Sequence, residues 1–261
     1  MKKIFNAVTP VTPVTFVTFV LTLTFLVFSA AAFLEDDEIA ARQIALKNLP
    51  VGERIASWAE SFVGVPYDTE PVGAYVKNNV IVYDDAVDCM YITFRAVELA
   101  LGDSPRGAME IALDKRFITR GKINENGKVV NYDDRFQYGE DMIESGKWGR
   151  EITRDLGAII SIKGERGRAN VDILPKEAVF AAQGKLMSGD IVFLIKKVEK
   201  RVVGEIVGHI GIIKREGGQV YMIHASGRKG RDAKPSHVKK VKLSDYVGDM
   251  GFIGIKTVRF E

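Results

Sequence analysis

Cysteine occurs once in the 261-residue chain, at Cys89, and histidine three times, at His209, His224 and His237. A lone cysteine excludes any disulfide within the chain. No second cysteine and no closely spaced histidine pair accompanies it, which removes the ligand sets of ordinary zinc sites, and neither a metal nor an organic cofactor is expected. Strong charge of one sign is also missing. The formal charge is +3, and Lys2 and Lys3 contribute to it, so the balance makes no case for a nucleic-acid partner. Nor is there an internal repeat at the roughly 20- to 50-residue periods of solenoids and propellers. With 46% apolar and 27% charged residues, the composition is that of a globular chain rather than a disordered one.

What is present at the start is a long apolar run. Met1-Lys2-Lys3 is followed by apolar sequence through Val14-Thr15-Phe16-Val17 to Leu26-Val27-Phe28, and then by Ser29-Ala30-Ala31-Ala32. A basic start, an apolar centre and a small-residue end are the three parts of a secretory leader, here 1–32 with cleavage after Ala32. Threonines, Pro10 and Pro13 interrupt the run, and an uncleaved membrane anchor is the alternative. The expectation is an exported protein of the periplasm or cell envelope that touches membrane only through this segment, if it stays attached. Residues 33–261 suffice for a single domain with one core. Export leaves the lone thiol in an oxidising compartment without a partner in its own chain, which asks either for a function or for burial.

The first half of 33–261 reads as helical. Glu35-Asp36-Asp37-Glu38 opens an acidic first turn of a helix running to Pro50, and Val51–Phe62 forms a second. Val65-Pro66-Tyr67 then runs extended, because the residue before a proline avoids the helical region. Val80–Tyr83 is a short strand or linker that delivers the chain to Cys89, and Ser104–Ile118 is a further helix. Asn126-Gly127 signals a hairpin within 121–131. The stretch Asp133–Asp172 is rich in charges and aromatics; it reads either as a substrate-side insertion, spanning about 120–175, or as a surface excursion. From Met187 the period changes to two: strands are expected at Ile191–Ile195, Glu205–Ile213, Gln219–His224, Val238–Leu243 and Phe252–Phe260, with Glu216-Gly217-Gly218 turning one hairpin. The layout is α+β, with a helix that begins at Cys89 packed on a mostly antiparallel sheet. Lys196–Lys242 carries 13 lysines and arginines against Glu199, Glu205, Glu216 and Asp232, either a solvated face or a surface for anionic groups.

After Cys89, apolar residues recur at Met90, Phe94, Val97 and Leu101, and Gly102 supplies a stop, so the cysteine opens its helix. A helix start presents unpaired N–H groups and the positive end of the macrodipole, which favour a thiolate nucleophile. The alternative is a small buried apolar residue. His209 and His224 fall on the two strands of the hairpin around Gly217, close enough to be cross-strand neighbours. That suits a base and the group that orients it, or else two half-exposed strand histidines. His237, beside Pro235 in a basic loop, is expected to be solvated.

Taken in order, Val65-Pro66-Tyr67, Asp88-Cys89, Gly189-Asp190-Ile191-Val192-Phe193, His209-Ile210-Gly211-Ile212 and His224-Ala225-Ser226 resemble the motifs of the NlpC-type papain-like cysteine peptidases of bacterial cell walls. The closer resemblance is to their N-acetylmuramoyl-L-alanine amidase-like branch, from about Val51 to Glu261. The chain departs from that branch in the bulk of Met90 and in Gln137, where a histidine is usual. The resemblance implies a papain-like core with Cys89 as nucleophile, His209 as base and His224 as the third, polar member. It further implies that Tyr67 lines the site and that Asp88 faces a substrate amine. The implied function is an exported cysteine amidohydrolase acting on peptidoglycan or its stem peptides, cutting either the lactoyl–L-alanine amide or a γ-D-glutamyl–diamino acid bond. A catalytically silent wall-binding module and a thioester acyltransferase are the rivals.

Overall fold

The computed structural model describes residues 34–227 and 235–261; the expected leader lies outside the described residues. The chain opens with α1 (Asp36–Leu46), α2 (Val51–Ser61), the single-turn α3 (Ala74–Lys77), α4 (Cys89–Leu101) and α5 (Pro105–Lys115). Short elements follow: α6 (Gly139–Glu144), β1 (Arg150–Glu151), α7 (Thr153–Leu156), β2 (Ile160–Lys163), β3 (Asn170–Pro175) and α8 (Lys176–Ala182). The last part holds β4 (Ile191–Ile195), β5 (Val207–Glu216), β6 (Gln219–Ala225), β7 (Val238–Lys242), α9 (Leu243–Asp249) and β8 (Gly254–Arg259). The strands form one open sheet in the order β2-β3-β8-β4-β5-β6-β7, with β1 also paired to β8, and every pairing among them is antiparallel.

β4 lies at the centre, between β8 and β5, which is why Ile191-Val192-Phe193-Leu194-Ile195 is an unbroken apolar run with no exposed residue. Alternation along it feeds two cores. Ile191 and Phe193 join Trp58, Phe62, Phe94 and Ile212 under the long helices, whereas Val192 and Leu194 join Leu174, Met222 and Leu243 under α7, α8 and α9. Gly189-Asp190, just before β4, holds this frame together. Gly189 has φ +84° and a Cβ there would sit 2.3 Å from the carbonyl oxygen of Gly52, so only glycine lets the turn approach the start of α2. The buried Asp190 carboxylate accepts two hydrogen bonds from Arg259 on β8, at 2.6 and 2.7 Å, and one from the Met187 N–H.

The helix expected from Cys89 to Gly102 is present, but its buried surface is wider than one stripe. Met90 and Leu101 are only half-buried, whereas every residue from Tyr91 to Ala100 is buried, Arg95 and Glu98 included. The reason is position: α2 and α5 pack on α4 from two sides and β5 and β6 from another. The Asn126-Gly127 turn forms, with Gly127 at φ +72°, yet it closes only the single bridge Ile123↔Val129 and not a strand pair. Val80–Tyr83 is a linker. Within 120–175, β1 and β3 add to one side of β8 and β2 adds to β3, so this segment extends the sheet.

Candidate active site

Asp88 is the N-cap of α4: its backbone is extended and its Oδ1 accepts from the Tyr91 N–H at 2.8 Å. That cap fixes where the helix starts and leaves Cys89, half-buried, at its first position. The first-turn N–H groups have no acceptor inside the helix and lie at the positive end of its dipole.

The linker that feeds this start is held from below. Arg95 grips Asp84 with three contacts between 2.8 and 3.2 Å, and the Tyr91 hydroxyl donates to Asp84 Oδ1 at 2.9 Å. Arg116, on the chain after α5, donates to both Glu98 oxygens at 2.5 and 2.6 Å and to the Ile81 carbonyl at 2.7 Å. Both arginines and Glu98 are buried. Residues 81–84 are thereby tied to the helix they precede.

From another side comes the extended segment at Pro66-Tyr67. Tyr67 N–H donates to the Ser236 carbonyl, Val87 N–H to the Pro66 carbonyl and Asp68 N–H to the Val87 carbonyl, so Tyr67 is clamped beside the residue that precedes Asp88. Asp68 is buried and accepts from Glu70 N–H and from Ala74 N–H, the first residue of α3. At the end of β6 the backbone of Gly227 lies on the Tyr67 ring: a Cβ there would stand 2.3 Å from it. Burial, and then the negative charge of Cys89, Asp88 and Asp68, raises the Tyr67 pKa well above its ordinary value. The phenol keeps its proton and remains a donor.

The two strand histidines meet. The Ile212↔Ile223 register puts His224 opposite Gly211, so His209 reaches it diagonally, and His209 Nε2 lies 2.8 Å from His224 Nδ1 with the rings nearly perpendicular. Burial and the facing His224 push the His209 imidazole down to about 3; burial and then Lys239, its partner on β7, push His224 down to about 4. Both rings are neutral at pH 7, and the short contact is one N–H donating to one lone pair. Two aromatic residues that the sequence reading did not single out complete the surroundings. Tyr246 on α9 and Phe252 after it stack beside His209, each at 6.4 Å between ring centroids, and Tyr246 meets His224 edge-on at 4.9 Å. Burial, and then the charge of Cys89, raises Tyr246 to about 12. The thiol is therefore within electrostatic reach of both Tyr67 and Tyr246, and Tyr246 in turn touches the imidazole pair.

The structure thus brings His209 and His224 into contact, puts Tyr67 and Tyr246 within electrostatic reach of Cys89 and sets Asp88 beside it as the cap of α4, while His237 is exposed and only its backbone, bridged to Pro66, takes part. Asp190, from the Gly189-Asp190 motif, is committed to Arg259 and Met187 and supports the frame. Among the described residues no group of three or more His, Cys, Asp or Glu is arranged to hold a metal ion.

No family model matches the chain, and no curated protein matches it. Solved structures do. A crystal structure of an N-acetylmuramoyl-L-alanine amidase from Bacteroides uniformis superimposes with a TM-score of 0.59 at 20% identity, over 81% of this chain and 99% of that one. The Legionella pneumophila protein LPG0564, of family DUF1460, gives 0.63 at 16% identity over 85% and 93%. A Bacteroides fragilis structure provisionally named a xylanase gives 0.56 at 20% identity over 78% and 100%. At these identities the likeness shows a shared α+β fold, and the difference between the names of these proteins illustrates why activity has to be argued from the site.

Proposed function

We propose that the chain is an exported cysteine amidohydrolase of peptidoglycan with a papain-like, NlpC-type core, hydrolysing the amide between the muramoyl lactoyl group and L-alanine. The observation that carries the reading is the 2.8 Å bond between His209 and His224, joined through Tyr246, which meets both rings, to a cysteine at the start of a buried helix. With Nε2 engaged by His224, Nδ1 is the atom of His209 left for the thiol proton. A neutral His209 takes that proton as Cys89 Sγ attacks the carbonyl. Its Nε2–H continues to donate to His224 Nδ1, so the imidazolium that forms is stabilised without a second positive charge. The tetrahedral oxyanion is held by first-turn N–H groups of α4 and by the Tyr67 hydroxyl. His209 returns the proton to the leaving amine, and a water activated by the same ring hydrolyses the thioester. No step requires a cofactor. The amidase name of the Bacteroides uniformis structure agrees with this substrate class, and the leader 1–32 would take the enzyme to the envelope where that substrate is.

A second reading is favoured by one observation: Asp88, half-exposed next to the thiol, is a carboxylate suited to the free amine of a released stem peptide, which a γ-D-glutamyl endopeptidase would recognise. Mass spectrometry of muropeptides digested by wild type and by Cys89→Ala separates the two. Intact stem peptide released from the sugar by wild type alone supports the amidase. Stem peptides shortened by L-alanyl-D-glutamate support the endopeptidase, and no product from either protein ends both.

A further inference from the structure

One side of the imidazole pair is walled by α9 and the chain that leaves it. Tyr246 and Phe252 lie nearly parallel to His209, at 26° and 10°. The same two rings line a groove of about 570 Å³ that runs past Met250 to Lys242, Asp245 and Asp249. Asp245 and Asp249 are exposed and four residues apart on one helix, so both carboxylates edge the same side of the groove. Asp245 Oδ1 accepts from the Ser244 hydroxyl at 3.0 Å.

The chemistry of this lining is selective. Two half-buried rings with Met250 beside them give the groove an apolar wall, and two carboxylates at its edge accept hydrogen bonds from neutral donors. Two carboxylates against the single Lys242 leave the lining net negative, which disfavours a carboxylate of a stem peptide. An ammonium ion would use the carboxylates and leave most of the apolar surface uncovered. A pyranose ring uses both, since its C–H face stacks on aromatic rings while its hydroxyl and acetamido groups donate outward. Position narrows the choice further, because the groove begins at rings that touch His209. Its occupant must hang from the carbonyl under attack by a very short tether. In the substrate class proposed above, the N-acetylmuramoyl sugar is joined to that carbonyl through one lactoyl ether, whereas the side-chain amine of the diamino acid is two residues further along the peptide.

We infer that the groove walled by Tyr246 and Phe252 and edged by Asp245 and Asp249 is the sugar subsite, holding the N-acetylmuramoyl ring of the substrate. The inference rests on the amidase reading for its choice of sugar. It makes α9 the element that separates a glycan-linked substrate from a free stem peptide.

The test uses the full chain as Cys89→Ala, titrated calorimetrically with the N-acetylglucosaminyl-N-acetylmuramic acid disaccharide capped as its lactoyl methylamide, and separately with a free stem tetrapeptide. The capped disaccharide should bind, and Asp245→Ala/Asp249→Ala should weaken it about tenfold or more while leaving the tetrapeptide unaffected. Phe252→Leu should weaken it as well. Because Phe252 also supports His209, the exposed aspartates carry the decision, with an unchanged thermal midpoint as the check on folding. In otherwise wild-type enzyme the double aspartate variant should raise KM for a disaccharide peptide about tenfold with kcat retained. A disaccharide that fails to bind, or binds equally well to both variants, overturns the subsite, as does a tetrapeptide that loses affinity in the aspartate variant. Binding of the disaccharide by a protein that hydrolyses no muropeptide would leave the subsite standing and end the amidase reading; release of stem peptide by the aspartate variant at unchanged KM would do the reverse.

Discussion

Two imidazoles 2.8 Å apart that share a single proton are more than a local curiosity, since the bond decides which nitrogen of each ring is available. On the proposed mechanism His209 carries the proton and His224 only orients the ring. His209→Ala should therefore cost about 10²- to 10⁴-fold in kcat/KM, His224→Ala less, and His224→Asn least, because an amide oxygen can still accept from Nε2–H. Equal small losses in all three would end the assignment. Burial and His224 hold His209 at about 3, so the base stays unprotonated far into acid. The acid limb of the kcat/KM profile should lie well below pH 6.5, the position of an unperturbed imidazole; a limb at 6.5 would mean that the ring is solvated in the working enzyme. At this scale the helix start at Cys89 and the meeting of His209 with His224 were legible in the sequence. Cysteine and histidine are rare in this chain, and the hairpin that joins the histidines is announced by Gly217-Gly218. Tyr246 and Phe252 were not legible, because aromatic residues are common and nothing local ties either to a histidine more than twenty positions earlier.

Elements divide in the same way. The start of α4 is readable from the apolar spacing that follows Cys89 and its end from Gly102, whereas the cap that fixes the start, Asp88, emerges only from the structure. β4 to β8 are readable because a buried strand leaves an apolar or alternating trace. β1 and β2 leave none: they are two and four residues long and mostly exposed, and β1 pairs with a strand about a hundred residues away. α9 is seven residues long and contains Gly248, too short for a period to emerge. The charged residues inside α4 were equally misleading, since Arg95 and Glu98 mark a solvent face in most helices and here are buried. They give the site its footing. Removing the charge of Arg116 as Arg116→Met leaves Glu98 buried with its main partner lost, and should destabilise the fold by about 3–5 kcal/mol, read from urea midpoints. Glu98→Leu/Arg116→Met removes both charges and should recover much of that loss. A double variant no more stable than the single one would show that the arginine acts mainly through the Ile81 carbonyl, holding the linker and not the charge.

For the molecule as a whole, the imidazole pair links the site to global stability through protons. An unfolded chain takes up a proton on each histidine near pH 6.5, whereas the folded chain holds His209 at about 3 and His224 at about 4, by burial in both cases together with neighbouring His224 and Lys239. Unfolding therefore binds protons throughout this interval, and acid favours it. The contribution is complete above pH 6.5 and is lost as pH falls through about 4 and then about 3, with a slope approaching about 1.4 kcal/mol per pH unit for each ring. Carboxylates act later. Burial raises Glu205, but Lys196 and backbone N–H groups around Val202 and Val203 outweigh it and hold the carboxyl at about 2, so its contribution is complete above 4.5 and is lost only below that. The interval between pH 6.5 and 4.5 belongs to the histidines. Urea midpoints of the wild type should fall across it, and His209→Gln and His224→Gln should each remove about half of the slope. A wild-type midpoint that stays level from pH 7 to 5 would mean that the folded chain protonates its imidazoles as readily as the unfolded one, which would remove the neutral pair on which the proposed mechanism depends.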